Sequence, residues 1–266
     1  MSLQTHGHLR SRTKIDILIP VIEKDLKTLP FVVHGVRRNV KHPIGQIFIV
    51  APRSKRIMRF CKQMNCTFMD ENSVLPIRKQ NIRYRTKRWS GWILQQLLKL
   101  SGDRFCSQNF FLVLDADTVL IRPHIFRLNQ KTVFYCRNWS HHQYFRTYQK
   151  LLGRKAASRP SFVNHYMLFE KSKLSQLKRA IQARHKTSWH SAILKCINRS
   201  KLFAFSEFET YGNFVRSKYP GRFILRRSLN KMIRGDARNL SGSTVKRLTK
   251  KYRSISFHKR RWYYRK

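Results

Sequence analysis

Four short apolar runs, separated by stretches with helical spacing, limit this chain to one kind of architecture. Ile15–Val21 (IDILIPV), Gln46–Ala51 (QIFIVA), Thr67–Asp70 and Phe110–Leu114 are rich in β-branched and aromatic residues. They are too short for helices, so each reads as a strand, Thr67–Asp70 a short one and the other three buried. Between them, residues 26–40, Ser54–Met64 and Trp89–Leu100 place apolar side chains close to every 3.6 residues. In the second of these, Ile57, Met58, Phe60 and Cys61 are expected to face inward. This β-α-β-α order predicts an α/β fold, an open and mostly parallel sheet with helices on both faces. Such sheets take their ligands beyond the carboxyl ends of the strands.

The second half is less regular. Thr132–Cys136, Phe162–Phe169, Arg222–Leu225 and Ser254–Phe257 read as strands. Ser172–His185, Ser188–Ile197, Ser206–Tyr219 and Thr244–Tyr252 read as helices. Residues 1–14 are expected to be a flexible lead-in. Residues 15–258 then form a single domain, with a nucleotide-binding half at 15–123 and a smaller, irregular acceptor half at 124–258. A basic-aromatic tail, 259–266, follows. The 41% hydrophobic content across 266 residues is enough for a substantial core.

The chain holds 57 Lys and Arg against 12 Asp and Glu, a formal net charge of +45. Where acids are so scarce, their clustering carries information. Asp115-Ala116-Asp117 ends the run at Phe110–Leu114, and a second apolar run, Val119–Ile121, follows. Two carboxylates one residue apart at a strand end form a rigid oxygen site suited to Mn²⁺ or Mg²⁺. A cation held there can neutralise a diphosphate, which makes a nucleotide-sugar the natural ligand. A second acidic pair, Glu207 and Glu209, has two readings. Ser206 can cap a helix whose dipole the acids complement. Alternatively one of them, Glu209 in first place, binds or deprotonates an acceptor hydroxyl. Glu23, Lys24 and Asp25 read equally as helix-start residues or nucleotide contacts. Gln95 and Gln96 cannot both face the core, so one is expected near the donor sugar, and Arg88 and Lys99 near phosphate. Trp89 and Trp92 read as aromatic anchors of the same helix, with Trp92 also counted among the donor-binding residues.

The charge predicts anionic partners. Basic residues are densest after Arg227, and Trp262, Tyr263 and Tyr264 in the tail could stack on single-stranded nucleic acid. No motif for dedicated nucleic-acid recognition is present. Peripheral association with an anionic membrane or polymer fits the charge as well. Cys61, Cys66, Cys106, Cys136 and Cys196 form no CxxC pair and read as reduced, buried thiols. No apolar run approaches the roughly 20 residues of a membrane span. The first residues hold no apolar leader core, so a cytoplasmic location is expected.

Five segments together resemble the nucleotide-sugar-dependent glycosyltransferases of GT-A fold, in particular a bacterial subgroup of DUF6492 type. They are DILIPVIEKDL at Asp16–Leu26, RWSGWILQQLLKL at Arg88–Leu100, FLVLDADTVLIRP at Phe111–Pro123, SFVNHYMLFEK at Ser161–Lys171 and SEFETYGNFV at Ser206–Val215. The resemblance implies a metal-dependent transferase that takes a nucleoside-diphosphate sugar, UDP-linked in first place, to a glycan or polymer acceptor. It implies that Pro20 and Val21 border the nucleobase, that Asp115 faces ribose or metal, and that Asp117 binds the metal. A late histidine supplies a further ligand in some such families, and His258 is the match. His165 would contact sugar or acceptor, or else be a core histidine bonded to backbone. A second reading stays open: a cationic polyanion-binding or coat-type protein on a degenerate glycosyltransferase scaffold. The intact DADT and SEFET sequences speak against it.

Overall fold

The structure, a computed structural model, describes residues 10–84, 87–157 and 159–257, with Lys87 and Arg88 as backbone alone. The strands are β1 (Ile15–Pro20), β2 (Ile44–Ala51), β3 (Thr67–Asp70), β4 (Phe110–Leu114), β5 (Thr118–Leu120), β6 (Arg127–Leu128), β7 (Lys131–Cys136), β8 (Tyr166–Glu170), β9 (Phe223–Arg227), β10 (Asn230–Ile233) and β11 (Ser254–Phe257). The helices are α1 (Leu29–Asn39), α2 (Lys55–Gln63), α3 (Glu71–Val74), α4 (Lys87–Lys99), α5 (His142–Leu152), α6 (Lys171–His185), α7 (Trp189–Cys196), α8 (Glu207–Lys218) and α9 (Gly242–Thr249).

The central sheet runs β3-β2-β1-β4-β8. Its first four strands are parallel and β8 is antiparallel to β4. Alternation along the strands sorts two apolar layers. Ile17, Ile19, Ile47, Ile49, Leu112 and Leu114 pack with α1 and α2. Leu18, Phe48, Val50, Phe111 and Val113 pack with α4, α6 and α8. This is the expected mostly parallel sheet with helices on both faces. Two small sheets, β10-β11-β5 and β6-β7-β9, flank it.

Local differences have physical causes. Met58 is 48% exposed, because Ile57, Phe60 and Cys61 already fill the inward stripe of α2. The strand expected from Phe162 starts at Tyr166. Residues 161–165 are instead a loop, pinned where Ser161 and Arg137 exchange backbone hydrogen bonds and where Asn164 donates to the Tyr135 carbonyl. Helix α5 was not expected at all. It buries Tyr144, Thr147, Tyr148 and Leu151, a stripe at helical spacing whose members are mostly not aliphatic.

Asp16 is a latch. Fully buried, it accepts the amides of Gln46 and Gln108 and the Ser107 hydroxyl, tying β1 to β2 and to the approach of β4. Gly102 fixes the path of α4. A Cβ there would lie 2.4 Å from the Phe111 ring and 2.8 Å from Leu18, against the middle of the sheet. One turn earlier, Lys99 reaches Asp115 beyond the end of β4. Helix α4 therefore descends past the carboxyl edge, and its first turns stand above that edge.

Candidate active site at the carboxyl edge of the sheet

Chain order reverses at β1, which has β2 on one side and β4 on the other. A crevice opens at such a switch point, outside the strand ends. The Asp115-Ala116-Asp117 turn leaves β4 at that point. It is clamped on both sides: the Asp115 amide donates to the His165 carbonyl at 2.9 Å, and the Phe257 amide donates to the Asp117 carbonyl at 2.9 Å. Thr118 closes the turn through its amide to the Asp115 carbonyl. Ala116 is buried beneath it.

Lys99 stands behind Asp115. Its Nζ lies 2.6 Å from Asp115 Oδ1 and 2.8 Å from Glu207 Oε1, with 4% of the residue exposed. Burial works against the Lys99 charge, but the two carboxylates outweigh it and raise its pKa. Burial likewise opposes the charge of Asp115, yet Lys99 and His165 outweigh it and hold that carboxyl well below its usual range. Glu207 goes the other way: burial pushes it up, and Lys99 offsets only part of the effect.

His165 Nδ1 lies 3.2 Å from Asp115 Oδ2. Asp115, Asp117 and His165 each offer a ligand atom, and these atoms lie within 4.8 Å of one another. Two carboxylates and an imidazole so placed fit a divalent cation. Asp25 belongs to the same neighbourhood. Burial raises its pKa first of all, and the charges of Asp117 and Asp115 add to the rise. It accepts the Ile22 amide at 3.0 Å. Lys24 is exposed on this rim, whereas Glu23 turns away to Ser54 and Arg56.

Several expectations are corrected. Glu209 is not placed to act on an acceptor: it is 0% exposed, with Ser161 Oγ donating to Oε2 at 2.7 Å and Asn213 Nδ2 to Oε1 at 2.8 Å. Glu207, 3% exposed, meets Lys99 rather than the crevice. Ser206 does cap α8, its Oγ accepting the Glu209 amide, so the capping reading of this pair holds locally. Lys99 is spent on carboxylates rather than phosphate. Gln96 is buried and its Oε1 accepts the Glu207 amide, which leaves Gln95, half-buried, as the glutamine nearer solvent. Trp92 packs among Trp89, Tyr84 and Phe203. Pro20 ends β1 and Val21 follows it, both with buried side chains, and the apolar side chain presented at that edge is Ile22, 45% exposed. The Arg88 side chain, His258 and the basic tail lie outside the described residues.

Sequence reasoning missed the pairing of Lys99 with Asp115 and the approach of His165 to the carboxylates. The five cysteines are free thiols, all buried except the half-buried Cys66. No helix among the described residues is long and apolar enough to cross a membrane.

Two solved structures share this architecture. Mouse xyloside xylosyltransferase 1 aligns with a TM-score of 0.51 at 12% identity, covering 92% of this chain and 97% of that one. The bifunctional glycosyltransferase WbbM aligns at 0.50 and 10% identity, covering 96% of this chain and 47% of that one. The chain thus spans about half the length of WbbM. At these identities the likeness is one of fold, and the fold is that of the GT-A glycosyltransferases. No curated protein sequence matches the chain. The model of a family of unknown function, DUF6492, matches residues 12–231. With that match over most of its length, the chain belongs to the DUF6492 family.

Proposed function

We propose that this protein is a metal-dependent glycosyltransferase that moves a sugar from a nucleoside-diphosphate sugar, UDP-linked in first place, to a glycan or polymer acceptor. The observation that carries the reading is the convergence of Asp115, Asp117 and His165 at the switch point of a GT-A sheet. These three residues would hold Mn²⁺ or Mg²⁺, and the imidazole nitrogen favours Mn²⁺, the softer of the two. The bound cation would act as a Lewis acid on the departing diphosphate.

The protein's own groups divide the remaining work. Lys99 keeps Asp115 ionised and fixes its orientation from behind, so the carboxylate needs no rearrangement when charge arrives. Glu207 holds Lys99 in place. Ile22 and Lys24 border the nucleotide at the end of β1. Asp25 is a further carboxyl group in the field of both aspartates.

The test is a panel of nucleotide-sugars incubated with the wild-type protein and Mn²⁺, with slow donor hydrolysis as the readout. One UDP-sugar is expected to be hydrolysed, with the activity lost on chelation and restored by adding Mn²⁺. A protein that hydrolyses none of the panel, or hydrolyses equally well in chelator, contradicts the proposal.

A further inference from the structure

Around the raised turns of α4 gathers an aromatic assembly that the nucleotide site does not use. Its centre is Phe203, whose φ of +53° lies in the left-handed region that a bulky side chain rarely adopts. Such strain persists where the surroundings over-determine it, and it collects at functional sites. The strained backbone sets the Phe203 ring edge-on to Trp89, Trp92 and Trp139, at 6.1, 6.3 and 5.8 Å between centroids, and tilted against His141 at 5.3 Å.

Trp139 is the exposed member, at 43%. A single exposed tryptophan is ordinary, but this one is fixed in place. It meets Tyr144 and Phe203 edge-on, and the Arg137 guanidinium lies 5.0 Å from its ring centroid. Arg137 pairs through its backbone with Ser161, four residues before His165. One short loop therefore connects the anchor of Trp139 with the histidine beside Asp115. Trp92 lies about 10 Å along α4 from Lys99, the lysine that meets the carboxylates, at the usual helical rise. The segments that build the assembly, 137–148 and 199–205, contain Arg137, Arg146, Arg199 and Lys201 and no carboxylate.

We propose that Trp139, set by Phe203 and Arg137, is a stacking platform for one ring of an anionic glycan acceptor, a saccharide bearing carboxylate, sulfate or phosphate groups. The proposal rests on the glycosyltransferase reading for the word acceptor, but not for the binding itself. The C–H face of a pyranose packs on the indole, and the guanidinium receives the anionic substituent as a charge-assisted hydrogen bond. The bare-cation alternative, diffuse attraction by a +45 chain, would not single out one tryptophan.

The experiment measures binding of a heparin-derived hexasaccharide and of neutral maltohexaose to wild type, Trp139→Ala and Trp139→Phe, by calorimetry at raised salt. Binding of UDP with Mn²⁺ is measured on the same samples. The platform predicts tighter binding of the anionic saccharide, about tenfold weaker in Trp139→Ala and largely kept in Trp139→Phe, with UDP affinity unchanged. Equal hexasaccharide affinity in wild type and Trp139→Ala overturns it, as does no binding by wild type. If Trp139→Ala instead loses affinity for anionic phospholipid vesicles and keeps that for the hexasaccharide, the tryptophan serves a membrane and the proposal is wrong. If UDP fails to bind in every sample while the hexasaccharide result holds, the transferase reading falls and the platform stands.

Discussion

Lys99 shows how one side chain can organise a site without touching a ligand. It is the cation shared by the buried Glu207 and the half-buried Asp115, so its removal strands like charges beside each other. Breaking a buried pair by deleting one partner typically costs about 3–5 kcal/mol. Lys99→Met is therefore expected to lower the urea midpoint sharply, and Lys99→Met/Glu207→Leu to recover part of the loss. An unchanged midpoint in the single variant would mean that the triad contributes little to the fold. Lys99 was also the least legible residue of the site. Among 57 basic residues a further lysine carries no contrast, and its pairing depends on a 16-residue return of the chain that no local pattern records. Asp115 and Asp117 were legible for the opposite reason, as two of only 12 acids in the chain. His165 stood in a recognisable segment, but its approach to Asp115 is made by the antiparallel pairing of β8 with β4, which sequence spacing does not specify.

At the scale of elements, α8 joins the two halves of the chain. Its N-terminus carries Glu207 to Lys99, and two residues further, on another side of the helix, Glu209 receives Ser161 from the loop that leads to His165. Glu209→Gln keeps the shape and one acceptor oxygen. The cost is expected to be about 1–3 kcal/mol in chemical denaturation, as for a buried hydrogen-bonded group that loses its best partner. Donor hydrolysis per folded molecule should remain within a few-fold of wild type. A loss of about 10²-fold at unchanged stability would restore Glu209 as a general base. Strands β1, β2 and β4 were read from their continuous apolar runs, which bury most of their length on both faces. Helix α5 escaped because its buried stripe is built on Tyr144, Thr147 and Tyr148, and the paired histidines at its start look like loop. Strands β5 and β10 are three and four residues long, and the sheet they share with β11 defines them more than their composition does.

The whole molecule combines a large positive charge with buried histidines that are held neutral. His124 donates from Nδ1 to the Arg122 carbonyl and meets the Tyr166 hydroxyl through Nε2, and burial pushes its pKa down to about 3. In His42, Nδ1 contacts the Thr13 carbonyl while Nε2 accepts the Phe126 amide, and burial lowers its pKa as well. Both folded-state values lie below the unfolded one, so the unfolded chain binds more protons as pH falls. Stability from these histidines is complete above about pH 6.5 and declines below it, and for His124 the slope approaches about 1.4 kcal/mol per pH unit. For His124 the decline continues toward pH 3. Denaturation of wild type and His124→Gln at several pH values below 6.5 is expected to show a shallower fall in the variant. Parallel curves would mean that His124 takes up its proton in the folded state.

The central claim is that Asp115, Asp117 and His165 hold a divalent cation that carries a nucleotide. Calorimetry of UDP with wild type and Asp117→Asn, each with Mn²⁺ and with chelator, tests it most directly. Asp117 is half-exposed at the turn, with its carbonyl already bonded to Phe257, so the substitution is expected to leave the thermal midpoint unchanged. The account predicts Mn²⁺-dependent UDP binding in wild type and its loss, by at least about a hundredfold, in the folded variant. Equal affinity in the two proteins, or binding that ignores Mn²⁺, would contradict it.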